Sequence, residues 1–267
     1  MPERKSVAGK VRLKDRRRRE SYLVYALMAV ALVIVLGAVA YLTRLPSLTV
    51  TEVRVEGARI ANPDALAAAS QAVLNGTYGL LVPKRMTYVV PGGAVAARIA
   101  EAFPAVQSAA VSVEGRTTLV VRVTERTPAA LWCERPESCF VMDEYGFIFD
   151  ARKVENAPGL KVYTGATAGG TLGSTYLAGE FKDFATLIAT IETTARRTVS
   201  RVAVDRTGDV VAEFQGGGEI RFTRRADASR LIGDVESVFD APTLARDTPL
   251  EYVDLRFPGK AVAKFKE

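Results

Sequence analysis

Hydrophobic positions follow three regimes along the chain. From Tyr22 to Leu42 they are almost continuous, 21 residues without a charge (YLVYALMAVALVIVLGAVAYL). As a helix this run is ~31 Å long, about the thickness of a bilayer hydrocarbon core. Tyr22, Tyr25 and Tyr41 stand near its ends, where aromatic rings favour the membrane interface. Residues 43–48 (TRLPSL) form a short linker in which Pro46 interrupts the helix.

From residue 49 to 126 strand and helix periods interleave. Leu48–Gly57 alternates and ends in glycine, a strand and then a turn. Asn62-Pro63-Asp64 starts a helix: Asn caps, Pro takes the first helical position and Asp sits in the first turn. That helix runs to about Val73, and a loop with Leu80, Leu81 and Val82 follows. A second helix over about Ala94–Ala102 carries Val95, Ile99 and Phe103 on one face. Strands Val106–Val113 and Thr118–Thr124 are joined by a turn at Glu114–Thr117. The order is β-α-α-β-β.

From 127 to 267 the pattern is mostly β. Strands are expected within Cys139–Phe149 around a turn at Glu144–Gly146, and over Leu160–Tyr163, Arg201–Asp205, Val210–Phe214, Glu219–Thr223, Tyr252–Arg256 and Ala261–Phe265. Helices are expected over about Phe181–Arg197 and Ala226–Phe239, and Gly165–Ser174 reads as a loop. The fold class is α+β: one N-terminal transmembrane helix, a β-α-α-β-β unit, and a mostly antiparallel β-unit with flanking helices.

Charge changes this picture at one end only. Residues 1–20 hold nine Lys or Arg against three acids, whereas the remaining 247 residues are balanced at 27 of each sign. The basic surplus belongs to residues 1–21, so no surplus remains for a nucleic-acid groove. Nine bases precede the apolar run and only Arg44 closely follows it, which orients the N-terminus to the cytoplasm and the rest outside. Ala38-Val39-Ala40 has the form of a signal-peptidase site. The apolar run is nevertheless longer than a signal h-region and its basic flank is long, so it is read as an uncleaved, single-pass anchor.

Candidate chemistry is sparse. The sequence has no histidine, which removes Ser-His-Asp and Cys-His catalysis and histidine metal sites. It has no P-loop, GxSxG, SxxK or HExxH motif. The glycines of 165–173 come with no lysine and no helix starting from them, so phosphate binding is not expected. Asp143, Glu144 and Asp150 cluster in sequence; in a hairpin their ordinary role is that of solvated turn residues, against a carboxylate-pair role in cleaving cell-wall glycan. No cofactor, metal or small-molecule substrate is expected. Cys133 and Cys139 lie on the side that permits oxidation, and a disulfide closing this short loop is expected, against the alternative of two partly buried thiols. The last strand pair, interrupted by Pro258-Gly259 and carrying lysines, has two readings: a plain protected sheet edge, or an edge held open for a partner's strand.

Several segments together resemble the bacterial cell-division family FtsQ/DivIB. They are Val53-x-Val55-x-Gly57, Phe103-Pro104-x-Val106, the block Thr118–Trp132 (TLVVRVTERTPAALW), Met142-Asp143-x-x-Gly146-x-Ile148-Phe149, and Tyr252–Phe257 (YVDLRF). Two features depart from the family: Gly115-Arg116-Thr117 stands where the family has a tryptophan-proline, and the cysteine pair is not shared. The resemblance implies a cytoplasmic tail (1–21), a transmembrane helix (22–42), a linker (43–48), a POTRA domain (49–126) and an FtsQ-type β-domain (127–267). It implies a non-enzymatic divisome scaffold in the cytoplasmic membrane, at the division septum. Its partners would be small bitopic proteins of the FtsB and FtsL type and other divisome components, and it would help control septal peptidoglycan synthesis. Carried over by position, partner contacts fall on Arg256, Phe257, Gly259, Lys260 and Phe265. The alternative is a POTRA-containing envelope protein that handles polypeptides during secretion or outer-membrane assembly.

Overall fold

The computed structural model describes residues 8–79, 81–151, 159–165, 171–241, 249–257 and 259–266, with side chains from residue 18 onward. Arg4, Lys5, Leu80, Pro258 and the middle of the 165–174 loop lie outside the described residues. The chain divides into two compact units: Met1–Ala102 with Ser108–Thr124, and Phe103–Gln107 with Glu125–Glu267.

The first unit opens with α1 (Ala8–Leu42), whose stretch Arg18–Leu42 is long and apolar enough to cross a membrane. The helix begins well before Tyr22 and runs through the basic segment. Lys, Arg and Leu are good helix formers, and the apolar run supplies the nucleus from which the helix extends. Within the short linker, Pro46–Leu48 forms a single 3₁₀ turn. Then come β1 (Glu52–Glu56) and α2 (Pro63–Leu74). Asn62 Oδ1 caps α2 by accepting the N–H of Asp64 at 2.8 Å and of Ala65 at 3.4 Å.

The segment expected to be a plain loop forms a small hairpin, β2 (Thr77–Tyr78) with β3 (Val82–Pro83). Strands of two residues are too short to show alternation. After α3 (Gly92–Ala102), β4 (Val106–Glu114) and β5 (Thr118–Glu125) form the second hairpin. β1 pairs with β5 in parallel, giving the order β1-β5-β4. Leu66 and Leu74 of α2, Val95 and Ile99 of α3, and Leu119 and Val121 of β5 are buried.

The second unit is built on a nine-stranded sheet. Its strands are β6 (Ala130–Arg135), β7 (Ser138–Met142), β8 (Ile148–Ala151), β9 (Lys161–Thr164), β10 (Val199–Val204), β11 (Asp209–Phe214), β12 (Glu219–Thr223), β13 (Leu250–Asp254) and β14 (Val262–Phe265). They lie in the order β14-β13-β12-β11-β10-β9-β6-β7-β8. Five of the eight pairings are antiparallel. The parallel ones are β6–β9, β9–β10 and β12–β13. Two of these follow from helix crossovers, α4 (Phe181–Ala195) between β9 and β10 and α5 (Ala228–Phe239) between β12 and β13.

α4 and α5 pack on each other and on one face of the sheet. Phe181, Ile188 and Ile191 meet Leu231 and Val235 over Val202, Ile220, Phe222 and Val253. β6 carries no alternation signal, because Leu131, Trp132 and Cys133 are all buried and both strand faces are covered. Cys133 and Cys139 are register partners on β6 and β7 and are joined by a disulfide. The closed loop is short, so its entropic contribution is modest.

Asp143 departs from the solvated-turn expectation. It is buried, its Oδ2 pairs with Arg126 Nη1 at 2.6 Å, and its Oδ1 accepts the N–H of Tyr145 and Phe147 at 2.9 and 3.0 Å. Arg126 in turn donates to the Pro104 carbonyl and lies over the Phe147 ring. The long-range arginine draws the turn inward, which local sequence does not show. Gly146 completes the turn at φ +80°, where an added Cβ would fall 2.4 Å from the Tyr176 carbonyl oxygen.

Gly146→Ala is therefore expected to destabilise this unit by more than about 2 kcal/mol, from left-handed strain and overlap with backbone. Urea unfolding of the full chain in detergent, followed by the single tryptophan, Trp132, reads the loss. A change within about 0.5 kcal/mol, the usual range for a surface substitution, contradicts the turn described.

Candidate partner-binding edge

The residues singled out near the C-terminal end of the chain sit where the nine-stranded sheet presents β14 as an outer strand. β13 joins the sheet in parallel beside β12, with Ile220 opposite Val253 and Arg221 opposite Asp254. The chain then turns and β14 runs back antiparallel, with Val253 opposite Ala263 and Asp254 opposite Val262. Among the described residues no strand pairs with the outer side of β14.

All four residues of β14 are exposed. The amide of Lys266 bonds inward to the Pro249 carbonyl at 2.7 Å. Period-two alternation then turns the Lys264 and Val262 amides inward and leaves those of Ala263 and Phe265 facing outward. Side chains alternate as well. Ala263 and Phe265 share the face of Val253 and Leu250, which belong to the core beneath α4 and α5. Phe265, 37% exposed, thus extends the apolar core to the sheet's rim. Val262 and Lys264 share the other face with Asp254 and Tyr252, and Lys264 pairs with Glu251 at 2.8 Å.

The residues carried over by resemblance are not all placed alike. Phe265 is on the edge strand, whereas Arg256, Phe257, Gly259 and Lys260 lie in the connection between β13 and β14. β13 ends at Asp254, two residues before the strand end expected from the alternation of YVDLRF. The cause is electrostatic. Asp254 Oδ1 accepts the backbone N–H of Arg256 at 3.0 Å, an Asx-type bond that competes with the ladder. The Arg256 guanidinium folds back on the same carboxylate, Nε to Oδ1 at 3.0 Å and Nη2 to Oδ2 at 2.7 Å, and reaches Asp209 on β11 at 2.9 Å.

Arg256 is therefore a positioning residue of the sheet rather than a free contact. Phe257 is left 57% exposed at the turn. Gly259 takes φ +71°, the left-handed region that glycine enters without strain, and the Lys260 N–H donates to the Phe257 carbonyl at 3.1 Å.

Sequence reasoning did not single out Val262 and Ala263 as contact positions. The alternation of KAVAKF was the available signal, since it marks a strand in which every second amide faces outward. Nor did it find Asp209 or Asp254, which meet Arg256 only through the fold.

The carboxylates considered for wall cleavage are placed as follows. Asp143 lines a cavity of about 300 Å³ with Arg126, Glu144 and Tyr145, but both its oxygens are bound as described above. Asp150 is half-buried on β8. Among the described residues no group of three or more Cys, Asp or Glu is arranged to hold a metal ion. No protein-family model matches the chain, and no curated protein matches it.

The Arg256 side chain, with smaller help from its backbone N–H, holds the Asp254 carboxyl below the usual carboxylate range. A depressed folded value means that this stabilisation is complete above the unfolded value near 4 and is lost as pH falls through the folded value. Asp254→Asn is expected to cost about 2 kcal/mol at pH 7, typical of a charge-assisted bond. The difference from wild type narrows steadily below about pH 4. Urea titrations read by Trp132 fluorescence check it, and a difference that stays constant down to about pH 2 contradicts the role given to Asp254.

Proposed function

We propose that this chain is a membrane-anchored, non-enzymatic scaffold of bacterial cell division, of the FtsQ/DivIB type, that pairs its edge strand with a strand of a small bitopic partner. The first unit, with its β-α-α-β-β frame elaborated by the β2–β3 hairpin, is read as a POTRA domain. The nine-stranded unit is read as the FtsQ-type β-domain. The partner is an FtsB- or FtsL-like protein with one membrane span and a coiled coil, and the assembly helps control septal peptidoglycan synthesis.

The observation that carries this reading is the outer side of β14. It offers outward amides at Ala263 and Phe265, flanked by exposed Val262 and Phe265. Added strands bind such an edge by main-chain hydrogen bonds and gain specificity from alternate side chains. Orientation with the N-terminus in the cytoplasm is supported by the nine bases before the apolar run. The disulfide fits an oxidising compartment for the second unit.

Ala263→Pro removes an outward amide without touching the bonds to β13, and edge strands accept proline there. In a pull-down of the full chain from envelope extract, wild type is expected to retain small coiled-coil single-span proteins. Ala263→Pro and Phe265→Ala each weaken that retention about 30-fold, the effect of losing roughly 2 kcal/mol. Retention unchanged in both variants contradicts the edge as the site. Recovery of unfolded secretory polypeptides alone favours the polypeptide-handling POTRA protein instead.

A further inference from the structure

The β2–β3 hairpin of the first unit has no part in partner pairing, yet it is tied to the outer end of the apolar helix. Thr43, the residue after α1, is buried, although Arg18–Leu42 before it is exposed at every residue except the half-buried Ala40. Its Oγ1 donates to the Val39 carbonyl at 2.9 Å and lies 3.3 Å from the carbonyl oxygen of Leu81, beside the hairpin tip. A second tie follows, in which the Val50 N–H donates to the Arg85 carbonyl at 2.8 Å and Thr49 bridges Met86. The hairpin and the segment after it are thus fastened to the chain just as it leaves the apolar run.

The length of that run fixes the depth. If Tyr22–Leu42 fills the hydrocarbon core, Thr43 stands at its boundary. The polar interface beyond that boundary is about 5–7 Å thick on each side. Leu81, within hydrogen-bonding distance of Thr43, falls inside this layer, and Tyr78 is one strand spacing away through its pairing with Val82.

The chemistry of the segment suits the layer. Tyr78, Tyr88 and Val89 are exposed, at 44, 72 and 39%. Tyr41, on the last turn of α1, is exposed too. Tyrosine is the residue type enriched at this depth, because its ring is apolar and its hydroxyl is wet. Residues 43–51 and 75–91 contain no acid and three bases, Arg44, Lys84 and Arg85. A basic surplus next to a span attracts anionic headgroups.

We propose that Thr77–Gly79 and Leu81–Val89 form a second, interfacial membrane contact, which rests this part of the first unit on anionic phospholipid headgroups beside the exit of α1. The contact goes beyond the scaffold reading and needs only that α1 spans a bilayer. It limits the swing of the sheet and helices of the first unit relative to α1.

Tryptophan quenching by nitroxide-labelled lipid tests it. The full chain is reconstituted in vesicles of phosphatidylcholine and phosphatidylglycerol, with Trp132 of wild type as the background. Tyr78→Trp and, separately, Tyr88→Trp are expected to add fluorescence that headgroup-labelled lipid quenches about twofold or more, as befits a ring held in the interface. Leu32→Trp, mid-span, serves as the insertion control and is quenched by lipid labelled deep in the acyl chain. Quenching of Leu32→Trp alone overturns the proposal while leaving the span intact. Added fluorescence shielded from both labelled lipid and aqueous acrylamide overturns it in favour of a protein contact. Absence of quenching in all three variants overturns the proposal and the membrane span together.

Discussion

The packing of α4 and α5 on a single face determines how the nine-stranded sheet is ordered. Each helix carries an apolar stripe, Phe184, Ile188 and Ile191 in α4 and Leu231, Val235 and Phe239 in α5, that has no other surface to cover. A strand that leads into such a helix continues afterwards in the same direction. β10 therefore lies parallel to β9, and β13 parallel to β12. After the second crossover the chain folds back once more, and β14 is placed on the rim by that last reversal. The edge strand is thus a consequence of where the second helix ends.

An open rim is a hazard as well as a resource. Unpaired backbone groups recruit any extended chain, and natural sheets blunt them with short strands, lysines and proline. β14 has four residues and carries Lys264, with Lys266 just beyond it, yet it also exposes Val262 and Phe265. The combination discourages long flat pairing and still leaves apolar anchors for a matched partner. Arg256 bears on this indirectly. By closing on Asp254 and Asp209 it ends β13, aims the reversal and leaves Phe257 at the surface. The proposed partner strand would meet a rim whose position is set by a charge cluster of buried Asp254 with half-buried Arg256 and Asp209.

Legibility in the sequence followed the range of the interactions. The start of α2 was plain because Asn62, Pro63 and Asp64 act within one turn. β11 and β12 were plain because each buries one face and alternates. β6 was not, since Leu131, Trp132 and Cys133 are buried on both faces and leave a run with no period. The hairpin at Thr77–Pro83 was too short to leave a pattern. Asp143 read as a solvated turn residue because Arg126, which draws it inward, lies 17 positions earlier. Arg256 read as a strand contact because Asp209, which holds it, lies 47 positions earlier. Of the candidate contacts, Phe265 fell on the edge strand, and the rest belong to the turn that precedes it.

The proposed division role is tested most directly by where the protein resides in living cells. A fluorescent fusion of the full chain, imaged in its source cell through the cell cycle, is predicted to form a band at midcell before constriction, and its depletion to produce filaments without septa. A uniform envelope signal, with normal septation on depletion, would contradict the role.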